Sequence, residues 1–297
     1  DPDASEEEIA AAIQPNTKAV FGETIANPAC NVLDIEKWAR VAHSNGLPLI
    51  IDNTFPTPIN CRPFEWGCDI VTHSTTKYMD GHASGVGGCI VDSGNFDWEA
   101  HAERFPGLTE PDPSYHGLAY TKAFGKQAYI TKATVQLMRD LGSIQSPQNA
   151  FLLNLGLETL HLRMRRHCEN ALKVAQYLKG HEKVAWVEYP GLPDSKYYDL
   201  AQKQFRDGNT CGVLTFGIKG GREESIKFMD NLKLVCIVTH VADTRSCVLH
   251  PASHTHRQLS DEQLIEAGVR PDLIRFSTGI EDAADIIADI EQALESI

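Results

Sequence analysis

Residues 48–77 read PLIIDNTFPTPINCRPFEWGCDIVTHSTTK and contain two short runs that are rich in apolar residues, each followed by polar residues. The first run covers residues 48–52 and ends in Asp52, and the second covers residues 68–72. Continuous apolar runs of this length are typical of strands that are buried on both faces of a parallel sheet. Ligands of such sheets bind beyond the carboxyl ends of the strands, so Asp52 and residues 74–77 fall where a binding site is expected.

The residues on either side of this stretch extend the same pattern. Residues 5–8 form a capping-box signal for a helix over 9–13, residues 19–22 predict a buried strand and residues 33–45 an amphipathic helix. Residues 87–91 predict one further strand. The order of strand, helix and strand implies a parallel sheet, and the first part of the chain is therefore expected to be α/β.

The chain from residue 93 onward has a different pattern. Residues 93–129 are polar, aromatic and proline-rich, and are too long for a plain connection, which predicts either a functional segment or an interface. A long helical pattern then begins at Ser146 and runs toward Tyr177. A smaller α+β region follows, with strands expected over 184–189, 212–218 and 274–277 and a closing helix over 283–297. We therefore expect a large domain over 1–146, and a bridging helix with a small domain over 147–297.

Composition excludes several classes of protein. The chain has 297 residues, 42% of them hydrophobic, and a formal net charge of -13, which disfavours a nucleic-acid surface because clustered Lys and Arg are lacking. No apolar run reaches the about 18 residues that a membrane span needs, and the first residues do not read as a signal peptide. We expect a cytoplasmic protein without nucleic-acid or membrane partners.

The cysteines and histidines give little support for disulfides or metal. The eight cysteines are scattered singly and form no C-x-x-C pair, which favours reduced, buried thiols. His250, His254 and His256 lack the helical spacing of a zinc site. No metal is therefore expected.

One set of residues has the chemistry that pyridoxal 5′-phosphate (PLP) requires, namely a lysine for covalent attachment, an acid for the ring nitrogen, phosphate donors and a carboxylate clamp. Lys77 follows a strand, with the hydroxyls of Ser74 and Thr76 before it and several glycines after it. Asp52 ends the neighbouring strand, where a carboxylate needs a partner such as a pyridinium N–H. The alternatives are a solvated surface role for Lys77 and a helix N-cap role for Asp52.

Four motifs resemble those of one family, the Cys/Met-metabolism PLP enzymes, which include cystathionine synthases and lyases, methionine γ-lyase and O-acetylhomoserine sulfhydrylases. Residues 23–28 (ETIANP) resemble the family's E-x-x-x-N-P turn and residues 51–54 (IDNT) its D-N-T strand end. Residues 73–78 (HSTTKY) resemble the S-x-T-K-Y lysine motif, and residues 275–282 (RFSTGIED) the R-x-S-x-G-I-E-D segment. The motifs recur in family order over most of the chain.

This resemblance implies a role for each residue that would hold the cofactor. Lys77 would bind PLP covalently, Asn27 would bond its phenolic oxygen and Asp52 its ring nitrogen, and Ser74 and Thr76 would bind its phosphate. The implied architecture is a fold-type-I PLP-dependent transferase with a mostly parallel large domain and a smaller α+β C-terminal domain.

The resemblance also implies how the substrate is bound. Arg275 and the Ser246 region would hold the substrate's α-carboxylate, and the planar fork of an arginine suits a carboxylate because it can make two parallel hydrogen bonds. The alternative for Arg275 is a surface arginine at the start of a strand.

Within the family, the O-acetylhomoserine sulfhydrylases contain segments that are similar to four stretches of this sequence. These stretches are residues 105–118, 123–125, 156–164 and 250–253. This similarity implies γ-replacement on O-acetyl-L-homoserine by sulfide or methanethiol, which gives homocysteine or methionine plus acetate. A γ-lyase or cystathionine γ-synthase of the same family remains an alternative. A homologue that binds ligands but has lost catalysis is an alternative of a different class.

Family members also carry an N-terminal part with a glycine-rich phosphate turn, a ring-stacking tyrosine, and a tyrosine and an arginine that reach into the neighbouring subunit. These 297 residues do not contain that part, so the large domain is expected to be N-terminally incomplete. The resemblance further implies a homotetramer whose active sites are shared between subunits.

Overall fold

The computed structural model of the chain describes residues 1–255, 257–266 and 268–297. Its strands form two separate sheets, one of four strands and one of five. The strands are β1 (Val20–Glu23), β2 (Leu49–Asp52), β3 (Ile70–Ser74), β4 (Gly88–Asp92), β5 (Val184–Glu188), β6 (Val213–Ile218), β7 (Cys236–Ile237), β8 (Cys247–Leu249) and β9 (Leu273–Ser277).

The first sheet has the order β1-β2-β3-β4. Its first three strands are parallel and β4 is antiparallel to β3. Glu23 lies opposite Asp52, and Asp52 lies opposite Thr72, so the three parallel strands end at one edge of the sheet. The α/β prediction for this part is confirmed, and each of the four predicted strands lies within two residues of an observed one.

Twelve α-helices surround the two sheets in the described part of the chain. The capping box at the first helix is present, since Ser5 accepts a hydrogen bond from the Glu8 backbone N–H and the Glu8 carboxylate accepts one from the Ser5 N–H. The helices are α1 (Glu6–Ala12), α2 (Ile35–Ser44), α3 (Thr57–Asn60), α4 (Pro106–Thr109), α5 (Tyr120–Phe124), α6 (Ala128–Lys132), α7 (Arg139–Leu141), α8 (Pro147–Gly180), α9 (Tyr198–Gln204), α10 (Arg222–Asp230), α11 (Asp261–Glu266) and α12 (Ala283–Glu295).

The second sheet has the order β5-β6-β9-β8-β7, and its neighbours are antiparallel except for β7 and β8. Strands β6 and β9 are buried along their whole length. Phe216 and Phe276 from these strands pack with residues of α8, α10 and α12 in one apolar core. The first sheet has a core of its own, which also includes Leu160 and Met164 of α8. The boundary between residues 146 and 147 stays a prediction.

Residues 93–141 form a series of short helical turns rather than a structureless segment. Trp98, Leu108, Tyr120 and Ala128 pack with Ile70 of β3 in a small separate core. Beside the α-helices, the chain has a π-helix over Ala133–Met138 and 3₁₀ turns over Pro63–Trp66, Glu99–Arg104, Gly125–Gln127, Arg206–Gly208 and Pro251–Ser253.

Helix α8 begins at the N-cap Ser146 and runs for 34 residues. Its buried Arg163 donates hydrogen bonds to the carbonyl oxygens of Tyr78 (2.7 Å) and Gly156 (2.6 Å). Gly156 lies against the backbone of residues 79–80. The long helix therefore holds the turn that follows Lys77.

All eight cysteines lie in the described part of the chain and are free thiols. None of the described helices is both long and apolar enough to cross a membrane. Over residues 1–255, 257–266 and 268–297, no three His, Cys, Asp or Glu side chains are grouped to hold a metal ion. His256 lies outside the described residues.

Candidate active site

A cavity of about 190 Å³ lies at the carboxyl edge of the first sheet. Arg275 of β9 and the loop between β7 and β8 close it from the side of the second sheet. The cavity therefore combines residues that are far apart in the chain. It is lined by Glu23, Ile25, Asn27, Asp52, Thr54, Phe55, Ser74, Lys77, Thr239, Val241 and Arg275.

Lys77 is half-buried in the turn that follows β3. Burial lowers the pKa of its amine, and the positive charge of Arg275 lowers it further. A lysine with a lowered pKa carries more of the neutral amine that forms an imine with a carbonyl group. The Nζ atom of Lys77 lies 3.4 Å from the Nδ1 atom of His240.

Two carboxylates lie side by side at the ends of β1 and β2. The Oδ1 atom of Asp52 accepts a hydrogen bond of 2.9 Å from the Thr54 N–H. Glu23 is partly open to solvent, yet burial of its carboxylate raises its pKa, and the negative charge of Asp52 raises it further. Asp52 thus closes a local turn onto Thr54 and does not cap a helix, because the N-cap of the next helix, α3, is Pro56. Asp52 also lines the cavity.

Arg275 is buried, with 6% of its surface exposed, which excludes the alternative of a surface arginine. Its Nη1 atom donates to Asn27 Oδ1 (3.2 Å), and its Nη2 atom donates to the carbonyl oxygens of Thr239 (2.9 Å) and His240 (3.1 Å). A guanidinium has five N–H donors, so at least two remain for a carboxylate. Because Asn27 Oδ1 faces Arg275, the donor nitrogen of this amide points the other way.

The two hydroxyl residues before Lys77 differ in position. Ser74 lines the cavity, and its backbone N–H donates to Thr54 Oγ1 at 2.8 Å. Thr76 is not among the residues that line the cavity. Its hydroxyl donates to the Gly87 carbonyl at 3.2 Å and accepts from the Gly87 N–H at 3.0 Å. The structure thus brings Ser74 to the cavity and ties Thr76 to the glycine-rich segment.

Ser246 also lies outside this cavity, in a neighbouring one of about 210 Å³. Its hydroxyl donates to Glu281 Oε2 at 3.0 Å and accepts from the Gly279 N–H at 2.8 Å. These contacts are internal to the protein, so they give no support to a direct contact between the Ser246 side chain and substrate.

Three further groups lie at the site without having been identified as site residues in the sequence. Glu23 lies in the ETIANP motif and Thr54 in the IDNT motif, so the resemblance to the family could have identified both as site residues. His240 lies in the loop between β7 and β8, and no pattern in the sequence distinguishes it.

The residues around the cavity fit the chemistry of PLP. An amine, a carboxylate, an amide, a hydroxyl and a guanidinium converge on one space from Lys77, Asp52, Asn27, Ser74 and Arg275. They match the imine, ring nitrogen, phenolic oxygen, phosphate and substrate carboxylate, respectively.

Comparisons with known proteins agree with this chemistry. The family model for Cys/Met metabolism PLP-dependent enzymes matches residues 1–295. A homocysteine synthase from Schizosaccharomyces pombe is 50% identical over 289 residues, which are 97% of this chain and 67% of that protein. O-acetyl-L-homoserine sulfhydrylase 1 from Thermus thermophilus is 47% identical over 97% of this chain and 68% of that protein. The chain thus spans about two-thirds of the length of the curated relatives it matches.

The fold also matches a solved structure. A crystal structure of a Campylobacter jejuni protein assigned as an O-acetylhomoserine (thiol)-lyase has a TM-score of 0.94 and 37% identity, and covers 100% of this chain and 70% of that one. That protein carries N′-pyridoxyl-lysine-5′-monophosphate. The predicted fold-type-I architecture and the predicted PLP cofactor are confirmed.

Proposed function

We propose, since the chain belongs to the Cys/Met metabolism family of PLP-dependent enzymes, that it replaces the acetoxy group of O-acetyl-L-homoserine with sulfide or methanethiol. The products would be homocysteine or methionine, together with acetate. The observation that carries the proposal is the convergence of Lys77, Asp52 and Arg275 on one cavity. Relatives named homocysteine synthase and O-acetyl-L-homoserine sulfhydrylase support the choice of reaction.

PLP, when bound, supplies an electron sink that would let protons leave the Cα and Cβ atoms of the substrate. Lys77 would hold the cofactor and, as the lysine that lines the cavity, would take up and return those protons. Its lowered pKa suits both tasks, because the amine must be neutral to accept a proton. Asp52 would keep a proton on the ring nitrogen.

The remaining residues would position the cofactor and the substrate. Arg275 would bind the α-carboxylate through its unused N–H groups, and Asn27 would donate to the phenolic oxygen. Ser74 would bind the phosphate, and Thr76 would join it by turning its hydroxyl proton from the Gly87 carbonyl toward the phosphate. Ser246 would act indirectly, by joining Glu281 and Gly279 to the segment that precedes β8.

Substrate choice follows from the two fixed ends of the amino acid. With the carboxylate on Arg275 and the amine near Lys77, the length of the side chain sets the position of the leaving group. One methylene is worth about 1–3 kcal/mol, or about 10- to 200-fold, so acetylated homoserine should be preferred over acetylated serine with measurable leakage.

The test compares kcat/KM for O-acetylhomoserine, O-succinylhomoserine and O-acetylserine, each with sulfide, on the full-length protein. Ketobutyrate release is measured with and without sulfide. We expect O-acetylhomoserine to lead and ketobutyrate to stay minor when sulfide is present. Dominant ketobutyrate formation would make the protein a γ-lyase, and a leading value for O-acetylserine would point to cysteine synthesis.

A catalytically inactive homologue is the alternative from a different class. Relatives named homocysteine synthase and O-acetyl-L-homoserine sulfhydrylase, and the convergence of Lys77, Asp52 and Arg275 on one cavity, favour an enzyme over this alternative. Purified full-length protein that has no visible cofactor absorbance and no turnover would establish it.

We also propose that the functional protein is a cytoplasmic homotetramer whose active sites are shared between subunits. The proposal rests on the family resemblance, in which a tyrosine and an arginine reach into the neighbouring site. Light scattering of the full-length enzyme together with its activity tests it, and an active monomer would refute it.

A further inference from the structure

His240 lies beside Lys77, and the proposed mechanism does not use it. Its Nδ1 atom is 3.4 Å from Lys77 Nζ, and its side chain is 23% exposed. The histidine stands in the loop between β7 and β8, next to two residues that line the Lys77 cavity, Thr239 and Val241. Whether Nδ1 can accept a hydrogen bond from the lysine depends on the protonation state of the imidazole.

Asp243 lies on the other side of the ring. Its Oδ2 atom is 3.5 Å from His240 Nε2, a contact that is too long for a strong hydrogen bond but close enough for the carboxylate to favour an N–H on that side of the ring. Asp243 is buried and accepts hydrogen bonds from the N–H (2.9 Å) and Nε (3.1 Å) of Arg245. Burial alone would raise the pKa of Asp243, but the bonds from Arg245 lower it overall, so the carboxylate is ionised.

An ionised carboxylate accepts and cannot donate, so it favours the tautomer with the proton on Nε2 of His240. The Nδ1 atom is then a free acceptor that faces Lys77. Burial lowers the pKa of His240, and the positive charges of Lys77, Arg275 and Arg245 lower it further, while Asp243 opposes them. The imidazole is therefore neutral near pH 7.

The loop that carries His240 is fixed to the parts of the protein that position the site. The His240 carbonyl accepts from Arg275 Nη2 at 3.1 Å and from the Cys247 thiol at 3.4 Å. The Thr244 N–H donates to the Gly81 carbonyl at 2.8 Å, and the Gly81 N–H donates to the Lys77 carbonyl at 2.8 Å. The backbone segments that carry the imidazole and the amine are thus joined through Gly81.

We propose that neutral His240, oriented by Asp243, accepts a hydrogen bond from the Lys77 ammonium group and positions this amine for proton transfer. The inference rests on the proposed role of Lys77. His240 stabilises the protonated lysine against two opposing influences, the burial of Lys77 and the charge of Arg275. The other charged residues that line the cavity are Asp52 and Glu23.

The test measures the reactivity of the Lys77 amine on the full-length protein after the cofactor has been removed. A small reagent that reacts with neutral amines is applied over a range of pH, and labelling of Lys77 is followed by mass spectrometry. Wild type is compared with His240→Ala, which removes the acceptor, and with His240→Asn, which retains an amide oxygen as an acceptor but cannot titrate. His161→Ala, which removes an exposed histidine of α8, is the matched control.

We expect the pH of half-maximal labelling to fall by about half to one pH unit in His240→Ala, by less in His240→Asn, and to stay unchanged in His161→Ala. Asp243→Asn should shift it in the same direction as His240→Ala. The double variant should shift little more than His240→Ala alone, because Asp243 acts through the imidazole. An unchanged midpoint in His240→Ala, or equal shifts in His240→Ala and His240→Asn, would overturn the proposal.

The holoenzyme separates this inference from the proposed function. Borohydride reduction should attach PLP to Lys77 in wild type and in both His240 variants, which also shows that these variants are folded. Failure of attachment in wild type would refute the role of Lys77, whereas the labelling midpoints would still decide whether His240 controls the amine.

Discussion

Arg275 Nη1 lies 3.2 Å from Asn27 Oδ1, although 248 positions separate the two residues in the chain. Arg275 belongs to β9 of the second sheet, and Asn27 lies in the loop that follows β1 of the first. This hydrogen bond joins the two sheets at the cavity. The residue proposed to bind the substrate therefore also orients a residue proposed to bind the cofactor.

Replacement of this arginine tests both roles. Arg275→Lys keeps the charge but loses the planar fork, so the variant cannot bind Asn27, the loop carbonyls and a carboxylate together. We expect kcat/KM for O-acetylhomoserine to fall by about 10- to 100-fold, mainly through KM. Arg270→Lys, at a mostly exposed arginine, is the control. A normal KM in Arg275→Lys would contradict the carboxylate role.

Lys77→Ala should abolish turnover and covalent attachment of the cofactor, because Lys77 is the lysine that lines the cavity. Borohydride reduction followed by peptide mapping locates any attached PLP. Lys122→Ala, at an exposed lysine, should retain both properties. Reducible PLP that remained attached to Lys77→Ala would show that the assignment is wrong.

Asp52 supplies the negative charge for the ring nitrogen in the proposed mechanism. Asp52→Ala should still bind the cofactor, though more weakly, while kcat falls by about 100- to 1,000-fold, because the charge that stabilises the protonated ring nitrogen is lost. Asp52→Asn preserves the shape without the charge and should be nearly as slow. Steady-state kinetics and cofactor titration measure the two effects separately, with Asp97→Asn as a surface control. A near-normal rate in Asp52→Ala would exclude the role.

The arrangement of the first sheet could be predicted because its strands are short, rich in apolar residues and followed by polar residues. That pattern placed Asp52 and Ser74 at one edge, and the structure brings both to the cavity. The surroundings of Thr76 could not be predicted in the same way. Its hydroxyl is held by the backbone of Gly87, and a sequence pattern does not show how a turn folds back.

The elements that could not be predicted are those too short to show a period. Strands β7 and β8 have two and three residues, so neither alternation nor a continuous run is visible in them. The loop between them carries His240, which reaches Lys77 through tertiary contacts. The short helices over residues 106–132 have four or five residues each, less than two turns, and aromatic packing rather than amphipathic periodicity holds them.

Replacement of Gly156 by alanine should destabilise the protein, although helix propensity alone predicts that alanine stabilises a helix. An added Cβ atom would lie 2.6 Å from the Met79 carbonyl oxygen and 2.5 Å from that of Asp80, in the turn that follows Lys77. Gly156→Ala should therefore lower the free energy of unfolding by about 1–3 kcal/mol and weaken cofactor binding. Gly180, in the same helix, has no atom within 4 Å of an added Cβ, so Gly180→Ala should be neutral or gain up to about 1 kcal/mol. Denaturant unfolding of both variants checks the contrast, and equal effects would contradict it.

His167 makes stability depend on pH in a window that the structure defines. The ring is buried against Tyr78, and its Nδ1 atom lies 2.7 Å from the Thr278 carbonyl oxygen, to which it donates. Burial lowers the pKa of His167 from 6.5 to about 4. The folded protein thus resists protonation at a pH where the unfolded chain accepts a proton.

The contribution of His167 to the free energy of unfolding is therefore fully present above about pH 6.5 and is lost as the pH falls toward about 4. The total loss is about 3 kcal/mol. His167→Asn keeps an N–H donor for Thr278 but cannot titrate, so it should lack this part of the acid sensitivity. The measurement is the free energy of unfolding of wild type minus that of His167→Asn at several pH values from 7 to about 4. Other buried histidines, such as His73 and His250, titrate in both proteins and cancel in the difference. The difference should shrink steadily across the window, and a constant difference would show that His167 is not the group responsible.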